Sequence, residues 1–201
     1  MATDQLIVSA VGPWSAPPGV APVGVIHGRF QPLHLGHLEY LLAGKRACET
    51  LIVGITNPDP GEIVFEPSDP ERGKPAANPC TYYERHLMIE GALLDSGIEL
   101  TAFRIAPFPH SHPDRLLNYV PKDALFLLTI YDAWGETKLR RLADLQLKTH
   151  VLWRRNSKVT SGSEVRRRIL TNESWEHLVP PAVARVIRQF AIDERIRASA
   201  S

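Results

Sequence analysis

Cysteine is scarce. Cys48 and Cys80 are the only two in 201 residues, too few for a disulfide framework or a four-thiolate zinc site. No apolar run approaches the roughly 18 residues of a membrane span. The N-terminus lacks a charged region followed by an unbroken apolar stretch, so no signal peptide is expected. Neither sign of charge dominates. Lys plus Arg number 23 and Asp plus Glu 22, which removes the general pull toward nucleic acid or an anionic membrane. Two common phosphate-binding fingerprints, the Walker A loop and G-x-G-x-x-G, are absent as well. A soluble, cytoplasmic protein is expected, and 201 residues suit one domain or one domain with a small appendage.

The charge that is present is unevenly spread. From His150 to Ser201 there are ten basic and five acidic residues, so an anion site is expected to draw on the C-terminal quarter. Residues 1–22 read as a flexible leader, because Pro13, Pro17, Pro18 and Pro22 interrupt every periodicity. The domain proper is placed at 23–201. Its first strand is Val23–His27, followed by a helix over Leu35–Ala47 and a second strand over Leu51–Ile55. A proline-rich stretch over 57–79 has the length of a lid or binding loop. Thr81 and Glu84 form a capping-box pattern that opens a helix reaching about Asp95. Strands over Glu99–Ala106, Ala124–Ile130 and Thr149–Trp153 follow, with a helix over Trp134–Asp144 between the last two. Ser161 and Glu164 make a second capping-box pattern, and a last helix begins at Pro180-Pro181. Strands alternating with helices predict an α/β fold: a Rossmann-like, doubly wound parallel sheet of about five strands with helices on both faces. Ligands in such sheets sit at the carboxyl ends of the strands, near the switch in strand order.

Gly28-Arg-Phe-Gln-Pro-Leu-His-Leu-Gly-His37 lies where the first strand hands over to the first helix. Gly28 suits a sharp turn that brings backbone N–H groups near a ligand. His34 and His37 are three apart and can face the same way at the helix start, where the helix dipole favours an anion. Gly36 removes a side chain that would block approach. Together these make a cradle for polyphosphate, with imidazoles able to donate to developing charge. No third ligand accompanies the two histidines, so no protein metal site is expected. The second segment is Ser161-Gly-Ser-Glu-Val-Arg-Arg-Arg168. Arg166, three residues after Ser163, can grip phosphate oxygens in a two-pronged hold. Arg167 and Arg168 point elsewhere and are expected to make surface pairs. Trp153 and Trp175 read as packing residues, and Arg85 as a helix-surface partner of Glu84 or as a ligand of an acceptor anion.

The first segment resembles the H-x-G-H signature of the nucleotidyltransferase superfamily, and Ser161 to Arg166 resembles its second signature, Ser-x-Ser/Thr-x-x-Arg. Asn78-Pro-Cys-Thr81 with Glu84-Arg85, and Trp175-Glu-His-Leu-Val-Pro180, are similar to the archaeal-type nicotinamide-nucleotide adenylyltransferase branch. The resemblance implies in-line attack of an acceptor oxygen on the α-phosphorus of a nucleoside triphosphate, with release of magnesium pyrophosphate. It assigns His34, His37 and Arg166 to catalysis. Gly28, Arg29, Phe30, Gly36, Ser161 and Ser163, with Ile130, Tyr131, Asp132 and Trp134 after the fourth strand, are assigned to the nucleotide. Mg2+ would be bound mainly through the triphosphate.

Three departures bear on the acceptor. The branch carries Asn-x-x-Trp after the third strand; Phe108-Pro-His-Ser-His-Pro-Asp-Arg-Leu-Leu-Asn118 has no tryptophan. Thr129-Ile-Tyr-Asp-Ala-Trp-Gly135 replaces a Ser-Gly-Asn, and Gly54-Ile-Thr-Asn-Pro-Asp59 replaces a Gly-Ser-Ala-Gln. Those two replacements resemble the cytidylyltransferases of phosphonate natural-product pathways, which attach CMP to a small phosphonate such as phosphonoformate. The resemblance implies CTP as donor and a small phosphonate or phosphate acceptor held by Thr56, Asn57, His110, His112 and Arg115. Nicotinamide-nucleotide adenylyl transfer from ATP is the alternative, followed by a non-catalytic nucleotide-binding module. No nucleic-acid or membrane partner is expected, and a homo-oligomer is compatible with the sequence.

Overall fold

The computed structural model describes residues 19–63 and 73–199. Most of the expected leader and the middle of the proline-rich stretch lie outside these residues. The sheet has five parallel strands in the order β3-β2-β1-β4-β5. They are β1 (Ala21–Gly28), β2 (Cys48–Thr56), β3 (Phe103–Phe108), β4 (Leu125–Ile130) and β5 (Lys148–Arg154). The longer helices are α1 (Leu35–Arg46), α2 (Tyr82–Asp95), α4 (Ala133–Asp144), α5 (Gly162–Leu170), α6 (Pro181–Gln189) and α7 (Ile192–Ala198). A single turn, α3 (Pro113–Leu116), precedes β4. Among the described residues no helix is long and apolar enough to cross a membrane.

Side chains alternate across the sheet, as strand geometry requires. Val25 of β1 and Phe126 and Leu128 of β4 face the cluster under α3 and α4. Ile26 and Leu127 face the larger cluster shared with the remaining helices. Burial on both faces explains why the strands read as continuous apolar runs. The order reverses at β1, whose neighbours are β2 and β4, so the crevice opens at the ends of these three strands.

Several features differ from the sequence reading, and β2 starts at Cys48, three residues before the expected Leu51. β1 starts at Ala21 and includes Pro22, because a proline is tolerated at the start of a strand. β3 starts only at Phe103, after a turn of 3-10 helix over Leu100–Ala102, and it runs on through Pro107. Its place at the sheet edge removes the need for the missing N–H. The expected single C-terminal helix is two, broken at Ala191, which adopts a left-handed conformation with φ 49°. The Thr81–Glu84 capping box is complete, but the second one is half closed. Ser161 accepts from the Glu164 N–H at 3.1 Å, while the Glu164 carboxylate turns to Arg167 and Arg168.

Gly54 of β2 controls how β3 ends. A Cβ there would come within 2.5 Å of the Phe108 ring, and that ring is stacked on His27 at the end of β1. Gly54→Ala is expected to cost about 1–3 kcal/mol by overpacking, read by denaturant unfolding. Unchanged stability would mean that the Phe108 ring is free to move aside.

Candidate active site

The loop after β1 is drawn tight by its own side chains. Phe30 takes a left-handed φ of 53°, a strained choice for a bulky residue. Gly28, which the sequence reading gave the sharp turn, does not carry a positive φ. Its role is close packing, since a Cβ there would come 3.0 Å from the Phe30 ring. Gln31 fastens the loop to the start of α2, exchanging two hydrogen bonds with the Cys80 backbone at 2.8 and 2.9 Å. The Gln31 carbonyl also accepts from Arg166 of α5. That approach is possible only because residue 162 is glycine: a Cβ would lie 2.7 Å from the Gln31 oxygen.

His34 is the N-cap of α1, its Nδ1 accepting from the His37 N–H at 3.3 Å. This bond assigns the imidazole proton to Nε2. The His34 and His37 rings lie 3.7 Å apart, and a Cβ on residue 36 would sit 3.3 Å from the His34 ring. Burial, then Lys158 and Arg166, lower His34 to about 3. Burial, then His34 and Arg29, hold His37 well below the usual histidine range. Both rings are therefore neutral donors at physiological pH.

They line a cavity of about 310 Å³ at the crevice between β1 and β4. Gly28, Arg29, Phe30, Gly36, Tyr131, Asp132, Trp134, Ser161, Ser163 and Arg166 line it too. Arg29, Lys138, Lys158 and Arg166 make its wall strongly cationic. Two of these four come from the C-terminal quarter. Asp132 is the only carboxylate on that wall among the described residues, and it caps α4 by accepting from the Gly135 N–H at 3.0 Å. Burial acts to raise the Asp132 carboxyl, but the Gly135 N–H and Lys158 outweigh it and hold it low. Arg166 lies 3.2 Å from Ser163 Oγ. Arg167 and Arg168 turn away, to Glu164, Glu173 and the Ser174 carbonyl. Ile130 does not face the cavity: it is buried, with Gly135 packed against its Cα.

A second cavity, of about 50 Å³, lies beside the first and is lined by Thr56, Asn57 and His110. His27, Gly28, Arg29, Trp134 and Lys138 border both. His112 sits by His110 and Asn57 at a smaller hollow. Arg115 does not join them. Pro113 starts a short helix there, and Arg115 is exposed on it, on neither cavity wall. Arg85 is also placed differently from the sequence reading. It is 2% exposed and donates to the carbonyls of Arg29, Thr56, Asn57 and Thr81. Adjacent helix residues do not face each other, so Glu84 pairs instead with Arg195 at 2.9 Å. Trp153 and Trp175 are buried. The sequence reading missed His27, Lys138 and Lys158. Their signals were faint: a histidine just before Gly28, a lysine one turn after Trp134, and a lysine three residues before Ser161.

Residues 25–168 match the family model described as cytidylyltransferase-like, well over half of the chain. The chain belongs to the cytidylyltransferase-like family. This cytidylyltransferase-like chain is 61% identical over 179 residues to a phosphonoformate cytidylyltransferase of Streptomyces viridochromogenes, covering 89% of this chain and 97% of that one. A nicotinamide-nucleotide adenylyltransferase of Picrophilus torridus is 31% identical, with 86% and 94% covered. Among solved structures, a bifunctional NMN adenylyltransferase/ADP ribose pyrophosphatase from Francisella tularensis superposes with a TM-score of 0.65 at 15% identity. That match covers 90% of this chain and 54% of the other, so the present chain spans about half of that bifunctional protein. The likeness shows the fold.

Because burial holds His34 at about 3, the unfolded chain takes up that proton first, near the ordinary 6.5. Stability from this group is therefore lost as pH falls from about 6.5 toward 3. Imidazole NMR of the unliganded protein is expected to show His34 neutral from pH 8 down to 5. A midpoint near 6.5 would contradict its buried capping position.

Proposed function

We propose that this nucleotidyltransferase moves CMP from CTP to phosphonoformate, or a small phosphonate like it, and releases pyrophosphate. The observation that carries the proposal is the 61% identity, over nearly the whole length, to an enzyme named for that reaction. The site's chemistry supports it. The cationic cavity suits a triphosphate, with Arg166, Lys158, Ser161 and Ser163 on its β- and γ-phosphates. A base would rest against the stretch from Tyr131 to Gly135. Thr56, Asn57 and His110 would hold the acceptor in the smaller cavity, with His112 at its rim. A phosphonate oxygen then attacks the α-phosphorus in line, and the bond to the β-phosphate oxygen breaks as pyrophosphate leaves. His34 and His37, neutral and fixed, donate to the charge that builds on the phosphoryl oxygens. Their contribution is positioning and preorganised polarity rather than proton transfer.

Nucleotidyltransferases use a divalent metal, which here would travel with the triphosphate and offset charge on the leaving group. The donor set agrees, since Asp132 is already engaged by Gly135 and Lys158. Adenylyl transfer to a nicotinamide nucleotide is the second reading, favoured by the Picrophilus relative. Against it stand the small volume of the second cavity, about 50 Å³, and the lack of a tryptophan over 108–118.

Crossing CTP and ATP with phosphonoformate and NMN in a pyrophosphate-release assay decides between them. The highest kcat/KM is expected for CTP with phosphonoformate, and a larger value for ATP with NMN would reverse the assignment. Arg166→Ala should raise KM for CTP by about tenfold or more, the usual scale for a lost charged hydrogen bond. Arg167→Ala, which breaks only exposed pairs with Glu164 and Glu173, should leave KM within about twofold. Equal effects from the two variants would refute the grip assigned to Arg166.

A further inference from the structure

His27 is the last side chain of β1 before the phosphate-binding loop, and it borders both cavities. It is 6% exposed, and its Nδ1 has no hydrogen-bond partner. The ring is held by stacking, 4.4 Å from Phe108 and within 2° of parallel. An apolar ring would fill that place without leaving a buried polar atom unpaired, which is costly. Burial, then Lys138 and His110, keep it uncharged. An uncharged hydrogen-bonding ring thus stands on the wall between the triphosphate cradle and the acceptor cavity. That wall is where an acceptor oxygen must pass to reach an α-phosphorus.

We propose that His27 is a specificity-determining residue that contacts the acceptor anion at the junction of the two cavities. This rests on the acceptor occupying the smaller cavity, as in the function proposed above. Lys138 and Arg29, on the same wall, would supply charge to the anion, while His27 supplies direction. A neutral donor discriminates by geometry, because a substrate that cannot satisfy it leaves it unpaired.

His27→Phe keeps a ring against Phe108 and removes both nitrogens; His27→Gln restores a polar group of similar reach. His27→Phe should raise KM for phosphonoformate at least tenfold while KM for CTP changes less than twofold, and His27→Gln should recover part of the loss. A residue that only filled space would show no such split between substrates and no rescue. In wild-type protein labelled with ¹⁵N-histidine, phosphonoformate added with a non-hydrolysable CTP analogue should shift the His27 ring nitrogens. This reading is available even if His27→Phe does not fold. If wild-type protein shows no CTP-plus-phosphonoformate turnover, the proposed function falls, and this inference with it. If it turns over but His27→Phe keeps its acceptor KM, or the His27 nitrogens do not shift, only the assignment of His27 falls.

Discussion

Gln31 joins three parts of the chain that are remote in sequence. Its amide is matched on both sides by the Cys80 backbone, and its carbonyl receives Arg166 across the gap that Gly162 leaves open. These contacts bring the His34–His37 loop, the start of α2 and the start of α5 to one place. The Arg166 guanidinium, held by Gln31 and near Ser163, is thereby oriented before any ligand arrives. Loss of rotamer freedom in that side chain is met during folding rather than on binding.

The electrostatic design follows from this closure. His34 is buried and His37 half-buried, and both are held neutral, with Lys158, Arg166 and Arg29 among the groups that oppose their protonation. In the proposed reaction, charge attraction would fall to the arginines and lysines, and directional donation to the imidazoles. Fixed donors in a cationic cavity suit the proposed transfer, in which negative charge shifts among oxygens and no covalent enzyme intermediate is needed. Arg85 extends the same arrangement below the surface. Burial pushes its guanidinium down to about 10, and the carbonyls of Arg29, Thr56, Asn57 and Thr81 receive its N–H groups. The ends of β1 and β2 are thus clamped to α2, which fixes the separation of the two cavities.

Local signals were legible in the sequence because they depend on neighbours along the chain. Apolar runs bounded by turn residues marked five strands, and Thr81 with Glu84 marked the start of α2. The H-x-G-H and Ser-x-Ser-x-x-Arg strings marked the family and the reaction class, since the chemistry needs those groups at those spacings on a strand–turn–helix frame. Boundaries shifted where a non-local fact intervened. Pro107 is admitted to β3 by the edge position of that strand, which no local pattern reveals. The second capping box failed for a local reason instead: Arg167 and Arg168, three and four residues on, compete for the Glu164 carboxylate.

Only the tertiary structure decided which side chains share a wall. His27, Lys138 and Lys158 come from β1, α4 and the approach to α5, and nothing in their own neighbourhoods marks them as companions. The strand order 3-2-1-4-5 sets the ends of β1 and β4 side by side, and so brings them together. Arg85 and Arg115 make the same point from opposite directions: one is buried against the carbonyls of Thr56 and Asn57, the other left exposed on α3. Sequence spacing determines which face of an element a residue occupies. What that face meets is set by how the elements pack, because burial and partner choice are properties of the whole fold.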